Sequence, residues 1–262
     1  MPELPDLEVL KVFLNQNFSG EKIVGVELKG ESFLKTKFFP PEVFKNSTLE
    51  RINRRGKLLI FEADNGFKLV FHPMLRGWVK EDEGEIFTFK FESGKVLGIY
   101  EVEPVKLLQL YIVKKPENLR VLKSLGPEPI DSSFTADYLK NAAEGFKGTV
   151  KKLITTQKIV AGIGNAYADE ILWHARINPF RKVSQLKAED FENLVSSIKK
   201  VLKEAIEAIS RASRGNIPPF EFREHMKIHR KEGQPCPRCG TPIEVKFEKE
   251  RGTWWCPTCQ KE

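Results

Sequence analysis

Four cysteines near the C-terminal end of the sequence carry its clearest chemistry. They form two Cys-x-x-Cys pairs, Cys236/Cys239 and Cys256/Cys259, with sixteen residues between the pairs. Each pair can offer two sulfurs to one tetrahedral ion, and the spacer is long enough for a β-hairpin. The spacing therefore predicts one structural Zn²⁺ held by four thiolates. Because such a site has no open coordination position, we expect any catalytic groups elsewhere in the chain.

Two other uses of these cysteines are less consistent with the sequence. Disulfide bonds require an oxidising compartment, and the N-terminal segment Met-Pro-Glu-Leu-Pro-Asp has two acids and no apolar core, unlike a signal peptide. A redox dithiol needs one Cys-x-x-Cys pair, whereas this chain has two matched pairs. The sequence thus favours zinc and an intracellular protein.

The N-terminus is a second place where chemistry is possible. Removal of Met1 would leave Pro2 with a free secondary amine, whose reference pKa near 8 is lowered by the positive end of a helix that follows. Such an amine can attack a sugar carbon to form an iminium, and Glu3 beside it is a candidate proton donor. The alternative is that Pro2 and Pro5 simply lead into a helix.

A glycine turn in the second half of the chain is a third candidate. The segment Ile159-Val-Ala-Gly-Ile-Gly-Asn165 precedes a predicted helix, so its backbone N–H groups and the Asn165 amide could bind an anion. An ordinary helix–turn–helix, with glycines that permit close packing, explains the same residues.

Composition points to a polyanionic partner. The formal charge is +7, and a zinc ion with four thiolates would leave about +5. Basic residues cluster between Arg51 and Lys57, and no apolar run approaches the ~20 residues of a membrane span. We therefore expect a cytoplasmic protein that does not enter membranes.

The elements that must position these groups follow from hydrophobic periodicity. Leu7, Leu10 and Leu14 predict a helix over residues 5–18, and alternating apolar residues up to residue 112 predict an antiparallel β-sandwich. Past a proline-rich connector, helices are predicted over about 133–143, capped by Ser133 or Asp131, and over 147–155, 166–175 and 188–212. Asn165 is the predicted cap of the third of these helices. The predicted domains are 1–115, 133–218 and 219–262, with a linker over 116–132.

Four segments together resemble one family. They are the start Met-Pro-Glu-Leu-Pro-Asp-Leu-Glu, the basic Arg-Arg-Gly-Lys at 54–57, the segment from Gln157 to Glu170, and the cysteine-rich end with Arg251-Gly-Thr-Trp-Trp-Cys. In this order they resemble the formamidopyrimidine-DNA glycosylase/endonuclease VIII family of base-excision repair enzymes. The resemblance spans the chain. It implies an α+β protein with an N-terminal helix and β-sandwich, a helix–two-turn–helix domain and a Cys₄ zinc finger, with DNA held between the domains.

The resemblance also implies roles for individual residues. Pro2 would be the nucleophile at C1′ of the damaged nucleotide, Glu3 the general acid at the sugar ring, and Lys57 a phosphate ligand that assists β-elimination. Further DNA contacts would come from His72, Met74, Asn165 and Arg251. Met74 would fill the gap left by the extruded base. For His72 the alternative is a strand-end histidine, and for Met74 it is core packing.

The implied activity is that of a monomeric DNA glycosylase/AP lyase on double-stranded DNA with damaged bases or abasic sites. It would cut by β,δ-elimination, in the cytoplasm and at the nucleoid in a bacterium. The alternative within the family is a catalytically silent protein that binds damaged or structured DNA. A more distant alternative is a zinc-ribbon accessory protein of RNA or transcription.

The chain departs from the family pattern late in the β-domain. Relatives that excise oxidised guanine carry Asp-x-Arg-Arg-Phe-Gly there, whereas this chain reads Tyr100-Glu-Val-Glu-Pro-Val-Lys-Leu107, without Arg or Phe. The resemblance therefore does not carry that reading of the opposite base over to this chain. We predict a preference for ring-opened purines and oxidised pyrimidines over 8-oxoguanine.

Overall fold

The computed structural model describes residues 1–36 and 38–261. Lys37 and Glu262, the last residue of the predicted zinc finger domain, lie outside the described residues. The chain forms two compact units. The first comprises residues 1–123 together with 209–222, and the second comprises residues 124–208 together with the chain from residue 223 onward.

The first unit begins with helix α1, Leu4–Phe18, which confirms the helix predicted over residues 5–18. Pro5 lies in its first turn, where a missing N–H costs nothing. The carboxylate of Asp6 accepts the backbone N–H of Glu3 at 2.8 Å, so it satisfies a donor that the helix leaves open. The three leucines of the predicted apolar face are fully buried. The backbone at residue 3 is thereby fixed.

Among the described residues of the first unit, eight strands follow α1, and they confirm the predicted antiparallel sandwich. One sheet has the order β1-β6-β7-β5 and the other β2-β3-β4-β8, with every pairing antiparallel. The strands are β1 Ile23–Leu28, β2 Leu49–Arg55, β3 Leu58–Ala63, β4 Lys68–His72, β5 Gly77–Lys80, β6 Phe87–Phe91, β7 Val96–Glu101 and β8 Gln109–Val113. Short 3₁₀ turns occupy Glu31–Phe33 and Pro41–Phe44. The ring centroids of Phe61 and Phe89, which belong to different sheets, are 6.1 Å apart in the shared core.

Helix α1 runs alongside strand β2 in the opposite direction. The amide of Asn15 donates to the carbonyl of Ile52 at 2.7 Å and accepts its N–H at 2.9 Å, while Arg54 Nε donates to Glu8 Oε2 at 2.7 Å. Asn15, late in the helix, pairs with Ile52 in the middle of the strand, and Glu8, early in the helix, pairs with Arg54 near the end of the strand. The start of α1 and the β2–β3 turn that carries Lys57 therefore lie at the same end of the sheet.

Helices are the main secondary structure of the second unit, as far as the structure describes it. A 3₁₀ turn at Pro116–Asn118 and helix α2, Arg120–Lys123, close the first stretch of the first unit. The helices α3, α4, α5 and α6 then span Ala136–Ala143, Val150–Thr155, Asn165–Ala175 and Ala188–Ser213, with a 3₁₀ turn at Val183–Gln185. These four helices agree with the predicted ones to within three residues at either end.

The predicted cap of α3 was wrong. Neither Ser133 nor Asp131 caps it; the hydroxyl of Thr135 accepts the N–H of Tyr138 at 3.1 Å. The N–H of Phe134 bonds the carbonyl of Asp131 in a separate turn, so Thr135 becomes the last extended residue before the helix. Asp131 and Ser133 belong to that turn instead.

The segment that follows α6 returns to the core of the first unit. The indole of Trp78, on β5, donates to the carbonyl of Pro218 at 3.2 Å and packs edge-on against Phe220 at 5.6 Å. Ile217 and Phe220 both pack against the sandwich core. Residues 217–220 are therefore anchored by burial and by a hydrogen bond.

A two-stranded hairpin carries the cysteine-rich end. Strands β9, Glu244–Glu248, and β10, Arg251–Trp255, pair antiparallel, which confirms the predicted hairpin between the two cysteine pairs. Its small core consists of Ile228, Cys236, Ile243, Trp254 and Cys256. Among the described residues, no helix has both the length and the apolar character that a bilayer crossing requires.

Candidate active site

Pro2 and Glu3 are buried at the start of α1 in the first unit. The ammonium group of the preceding residue, Met1, makes an ion pair with the carboxylate of Glu221. Glu221 has a left-handed backbone, with φ of 51°, and follows the residues anchored on Trp78. Pro2, the candidate nucleophile, is therefore buried, and the carboxylate of Glu221 lies next to the first residue of the chain.

Lys57 lies in the two-residue turn between β2 and β3 and is only 5% exposed. Gly56, the first residue of that turn, has φ of 55°, a conformation that glycine adopts without steric cost. Arg54 Nη1 donates to the Gly56 carbonyl at 2.9 Å and so links the turn to the Glu8–Arg54 ion pair of α1. A buried lysine held in this way is a preorganised positive charge.

His72 ends strand β4, and its ring is tied to the next turn. Its Nδ1 accepts the N–H of Met74 at 2.9 Å, which places the proton of the neutral ring on Nε2. Burial, and then the positive charge of Lys57, lowers the pKa of His72 to about 4. The ring is therefore a neutral hydrogen-bond donor at physiological pH.

Met74 sits at the turn between β4 and β5 with φ of 50°. A left-handed conformation is uncommon for a long side chain and marks a constrained position. Met74 is half-buried, and its neighbour Leu75 is 46% exposed. The structure places Met74 in a partly exposed turn, and its contact with DNA stays a prediction.

The loop that lacks the family's Arg and Phe has a defined course. The carboxylate of Glu101 accepts the backbone N–H groups of Lys106, Leu107 and Leu108 at 2.7 to 2.9 Å. The loop also exposes three apolar side chains, Val102, Val105 and Leu107, each 40 to 42% accessible. It is joined to the Met74 turn, because the N–H of Val102 donates to the carbonyl of Arg76 at 2.9 Å.

The second unit brings Asn165 next to the hairpin strand that carries Arg251. Helix α5 begins at Asn165 with Gly164 as its N-cap, so the prediction that Asn165 caps this helix was wrong. The Asn165 amide instead donates to the carbonyl of Gly252 at 2.8 Å. A tertiary partner 87 residues away has replaced the local cap.

The glycine turn before α5 is braced from within. The N–H of Gly162 donates to Gln157 Oε1 at 2.9 Å, and Gln157 Nε2 donates to the carbonyl of Ile163 at 2.7 Å. The Gly162 N–H is therefore engaged inside the turn. Anion binding by the rest of the turn stays a prediction.

Lys151 also contacts Gly252, the hairpin residue that Asn165 contacts. Its ammonium donates to the Gly252 carbonyl at 3.3 Å and to Thr253 Oγ1 at 2.9 Å, and it pairs with the fully buried Asp169 at 2.6 Å. Asp169 in turn contacts His229 Nδ1 at 2.8 Å. Removal of one partner from this network would leave an uncompensated buried charge, at a cost of about 3–5 kcal/mol.

Close packing adds to this constraint at Gly252. A Cβ placed there would lie 2.4 Å from the ring of Trp254, so only glycine fits without movement. On α5, burial raises the pKa of Glu170, whose carboxylate accepts the N–H groups of residues 227–229. The chain entering the zinc finger is therefore bound to the helix that carries Asn165.

The four cysteines fit a zinc ion. Their sulfurs all lie within 4.8 Å of one another, and two cross-pair separations are 4.0 Å for Cys236–Cys259 and 3.5 Å for Cys239–Cys256. Zn–S bonds near 2.3 Å in a tetrahedron require sulfurs about 3.8 Å apart. Four thiolates at this spacing are a closed structural site, and the metal supplies folding energy rather than chemistry.

The structure thus groups the predicted residues in two sets. The first unit holds Pro2, Glu3, Lys57, His72 and Met74, and the second holds Asn165, Arg251 and the four cysteines. Sequence reasoning missed three residues that support these sets, namely Lys151, Asp169 and Glu221. Each acts through a contact with a residue distant in sequence, so no local spacing could have revealed it.

Three family models match the chain in order. The formamidopyrimidine-DNA glycosylase N-terminal domain matches residues 1–101, the formamidopyrimidine-DNA glycosylase H2TH domain residues 125–215, and the zinc finger found in FPG and IleRS residues 233–261. Two similar proteins are both called formamidopyrimidine-DNA glycosylase. The one from Pelotomaculum thermopropionicum is 31% identical over 100% of this chain and 99% of its own. The one from Shouchella clausii is 34% identical over 99% of each.

Two solved structures have a similar fold over almost the whole of this chain. The MutM (Fpg) protein from Thermus thermophilus is 28% identical, with a TM-score of 0.86 over 99% of this chain and 98% of that one. The Lactococcus lactis Fpg bound to DNA containing an abasic site is 28% identical, with a TM-score of 0.87 over 99% of this chain and 100% of that one.

Proposed function

Because this chain belongs to the formamidopyrimidine-DNA glycosylase family, we propose that it excises oxidised bases from double-stranded DNA and then nicks the strand by β,δ-elimination. The observation that carries the proposal is the match over the whole chain, together with Pro2 and Glu3 buried at the start of α1. AP lyase activity is characteristic of this family. Ring-opened purines and oxidised pyrimidines are the proposed preferred lesions, and the protein acts as a monomer.

In the proposed mechanism, the duplex is bent and the damaged nucleotide leaves the stack, since C1′ is inaccessible inside a duplex. The Pro2 amine, once Met1 has been removed, attacks C1′ and the base departs. Glu3 protonates the sugar ring oxygen. The resulting iminium acidifies the 2′-proton, which permits strand cleavage. Lys57 and the neutral His72 would bind phosphates beside the lesion, and Met74 would occupy the vacated space.

Asn165 and Arg251 would hold the flanking phosphates. Their support is geometric, because the Asn165 amide and the Lys151 ammonium both bond the carbonyl of Gly252, the residue after Arg251. Arginine and a side-chain amide are suitable phosphate donors. The zinc ion keeps the hairpin folded. The predicted domain limits of 1–115, 133–218 and 219–262 remain proposals, as does a cytoplasmic location.

A cleavage assay on defined lesions tests the function. Duplexes that contain a formamidopyrimidine, an oxidised pyrimidine, 8-oxoguanine or an abasic site, each opposite all four bases, should be cut with 5′- and 3′-phosphate ends. We expect the formamidopyrimidine and oxidised pyrimidine duplexes to be cut faster than those with 8-oxoguanine. Salt-sensitive binding without cleavage of any duplex would contradict the proposal and indicate the catalytically silent family member.

Replacement of Arg251 by alanine should weaken binding without changing the chemistry. Loss of one charge-assisted phosphate contact should raise Kd about 10-fold. It should also reduce the slope of log K against log salt by about 0.9. Fluorescence anisotropy with abasic-site analogue DNA at several salt concentrations measures both quantities.

Lys249→Asn is the matched control for Arg251. It removes a positive charge from the same hairpin, and asparagine tolerates the φ of 56° at this position. Equal losses of affinity in the two variants would show that the hairpin contributes only general charge and that Arg251 has no specific phosphate contact.

A further inference from the structure

The carboxylate beside the chain start has no role in the mechanism given above. Glu221 makes an ion pair with the Met1 ammonium, and its Oε1 is buried. Met1 N and Pro2 N are joined by three bonds and lie at most about 3.7 Å apart. Removal of Met1 therefore takes away the positive partner of Glu221 and leaves a secondary amine within one residue's length of it.

The position of Glu221 is fixed by its neighbours. Pro218 is bonded to the Trp78 indole, and Phe220 packs on the same ring. The backbone then turns through the left-handed conformation at Glu221, and its side chain is only 14% exposed. A non-glycine residue held in this conformation marks a constrained position, and constraints of this kind cluster at functional sites.

We infer that Glu221 is a catalytic residue, the base that removes the proton from the Pro2 nitrogen. The inference rests on the proposed function, because it requires Pro2 to be the nucleophile. A carboxylate that faces an amine is suited to this role, since it accepts a proton and stabilises the positive charge that develops on the nitrogen.

In the proposed step, two bonds form between the Pro2 nitrogen and C1′, and two bonds of C1′ break. The lone pair of the neutral Pro2 amine forms the bond to C1′, and the base leaves with the electron pair of the glycosidic bond and takes a proton from solvent. The nitrogen then carries one hydrogen and a positive charge. Glu221 takes this proton, and the N–H electron pair becomes the second C1′–N bond as the C1′–O4′ bond breaks. O4′ receives a proton from Glu3, and the product is the iminium.

Glu221→Gln tests this role, because it keeps the shape and removes the base. In single-turnover reactions on abasic-site DNA, the rate of borohydride trapping should fall about 10²-fold. The Kd for DNA should stay within a factor of two. Glu224→Gln, which removes an exposed acid three residues later, should trap at the parent rate. An unchanged trapping rate in Glu221→Gln would overturn the inference.

Glu221→Gly gives an independent test that does not depend on the folding of the first variant. Glycine accepts the φ of 51° and leaves room for a small carboxylate. Added formate should restore trapping in proportion to its concentration, which a purely structural role would not permit. Absence of formate rescue in a folded Glu221→Gly protein would also overturn the inference. If the parent protein itself traps no DNA, the proposed function has failed instead.

Discussion

Pro2→Gly should abolish covalent trapping on abasic-site DNA, with a loss of at least about 10³-fold. A protein that retains Met1 should show the same loss. In the retained form the Pro2 nitrogen is an amide, whose lone pair is delocalised and cannot attack C1′. In the glycine variant the nucleophile becomes a flexible primary amine. Borohydride trapping followed by denaturing electrophoresis measures the result.

Pro5→Gly is the matched control for Pro2→Gly. It makes the same substitution in the same buried segment, in the first turn of α1, but it leaves the terminal amine unchanged. It should lower stability slightly and trap at nearly the parent rate. Trapping that survives both Pro2→Gly and Met1 retention would assign the nucleophile to another amine, such as that of Lys57.

Loss of the zinc ion should have the second largest effect. Cys256→Ser removes one of four ligands of a zinc ion whose binding as a whole contributes on the order of 10 kcal/mol to local folding. Cys236 and Cys256 are also two of the five buried residues of the hairpin core, so the hairpin should unfold. Arg251 and the carbonyl that Asn165 bonds would then be displaced, and DNA affinity should fall at least about 10-fold.

The sandwich should survive this change, because its core draws only on residues of the first unit. Mass spectrometry measures the zinc content, and a binding assay measures the DNA affinity. The NMR signals of Trp78 report whether the first unit stays folded. Cys256→His is the control, since a Cys₃His site still binds zinc. Full lesion cleavage by a protein shown to be free of metal would refute the role given to the hairpin.

Sequence patterns predicted the parts of this fold that depend on local rules. Period-two alternation identified the strands of the sandwich, and two cysteine pairs identified the hairpin between them. Leucines spaced three and four residues apart identified α1. In each case the spacing of the residues indicates the structure. Apolar side chains must recur at the period of the element that buries them, and cysteines must be spaced to coordinate one ion.

The cap predicted at Asn165 failed because a distant partner competes with the local one, whereas the cap of α3 passed from Ser133 or Asp131 to the neighbouring Thr135. Asn165 has the right type and place for a cap, but the carbonyl of Gly252 takes its amide. Glu221 is 219 positions from Pro2, and its neighbours are anchored on Trp78 while its carboxylate pairs with the chain start. Every residue has a backbone carbonyl, so the residue type at position 252 does not indicate that its carbonyl accepts a hydrogen bond. The sequence could therefore not reveal such contacts.

The loop after β7 has a consequence for how this protein can change over evolution. Glu101 holds the loop through the N–H groups of Lys106, Leu107 and Leu108, and every residue except proline has such a group. The path of the loop is therefore largely independent of the side chains that it displays. Val102, Val105 and Leu107 project from a fixed frame, where substitutions can accumulate at little cost to stability. The surface that this loop displays can therefore diverge while the rest of the fold stays under its structural constraints.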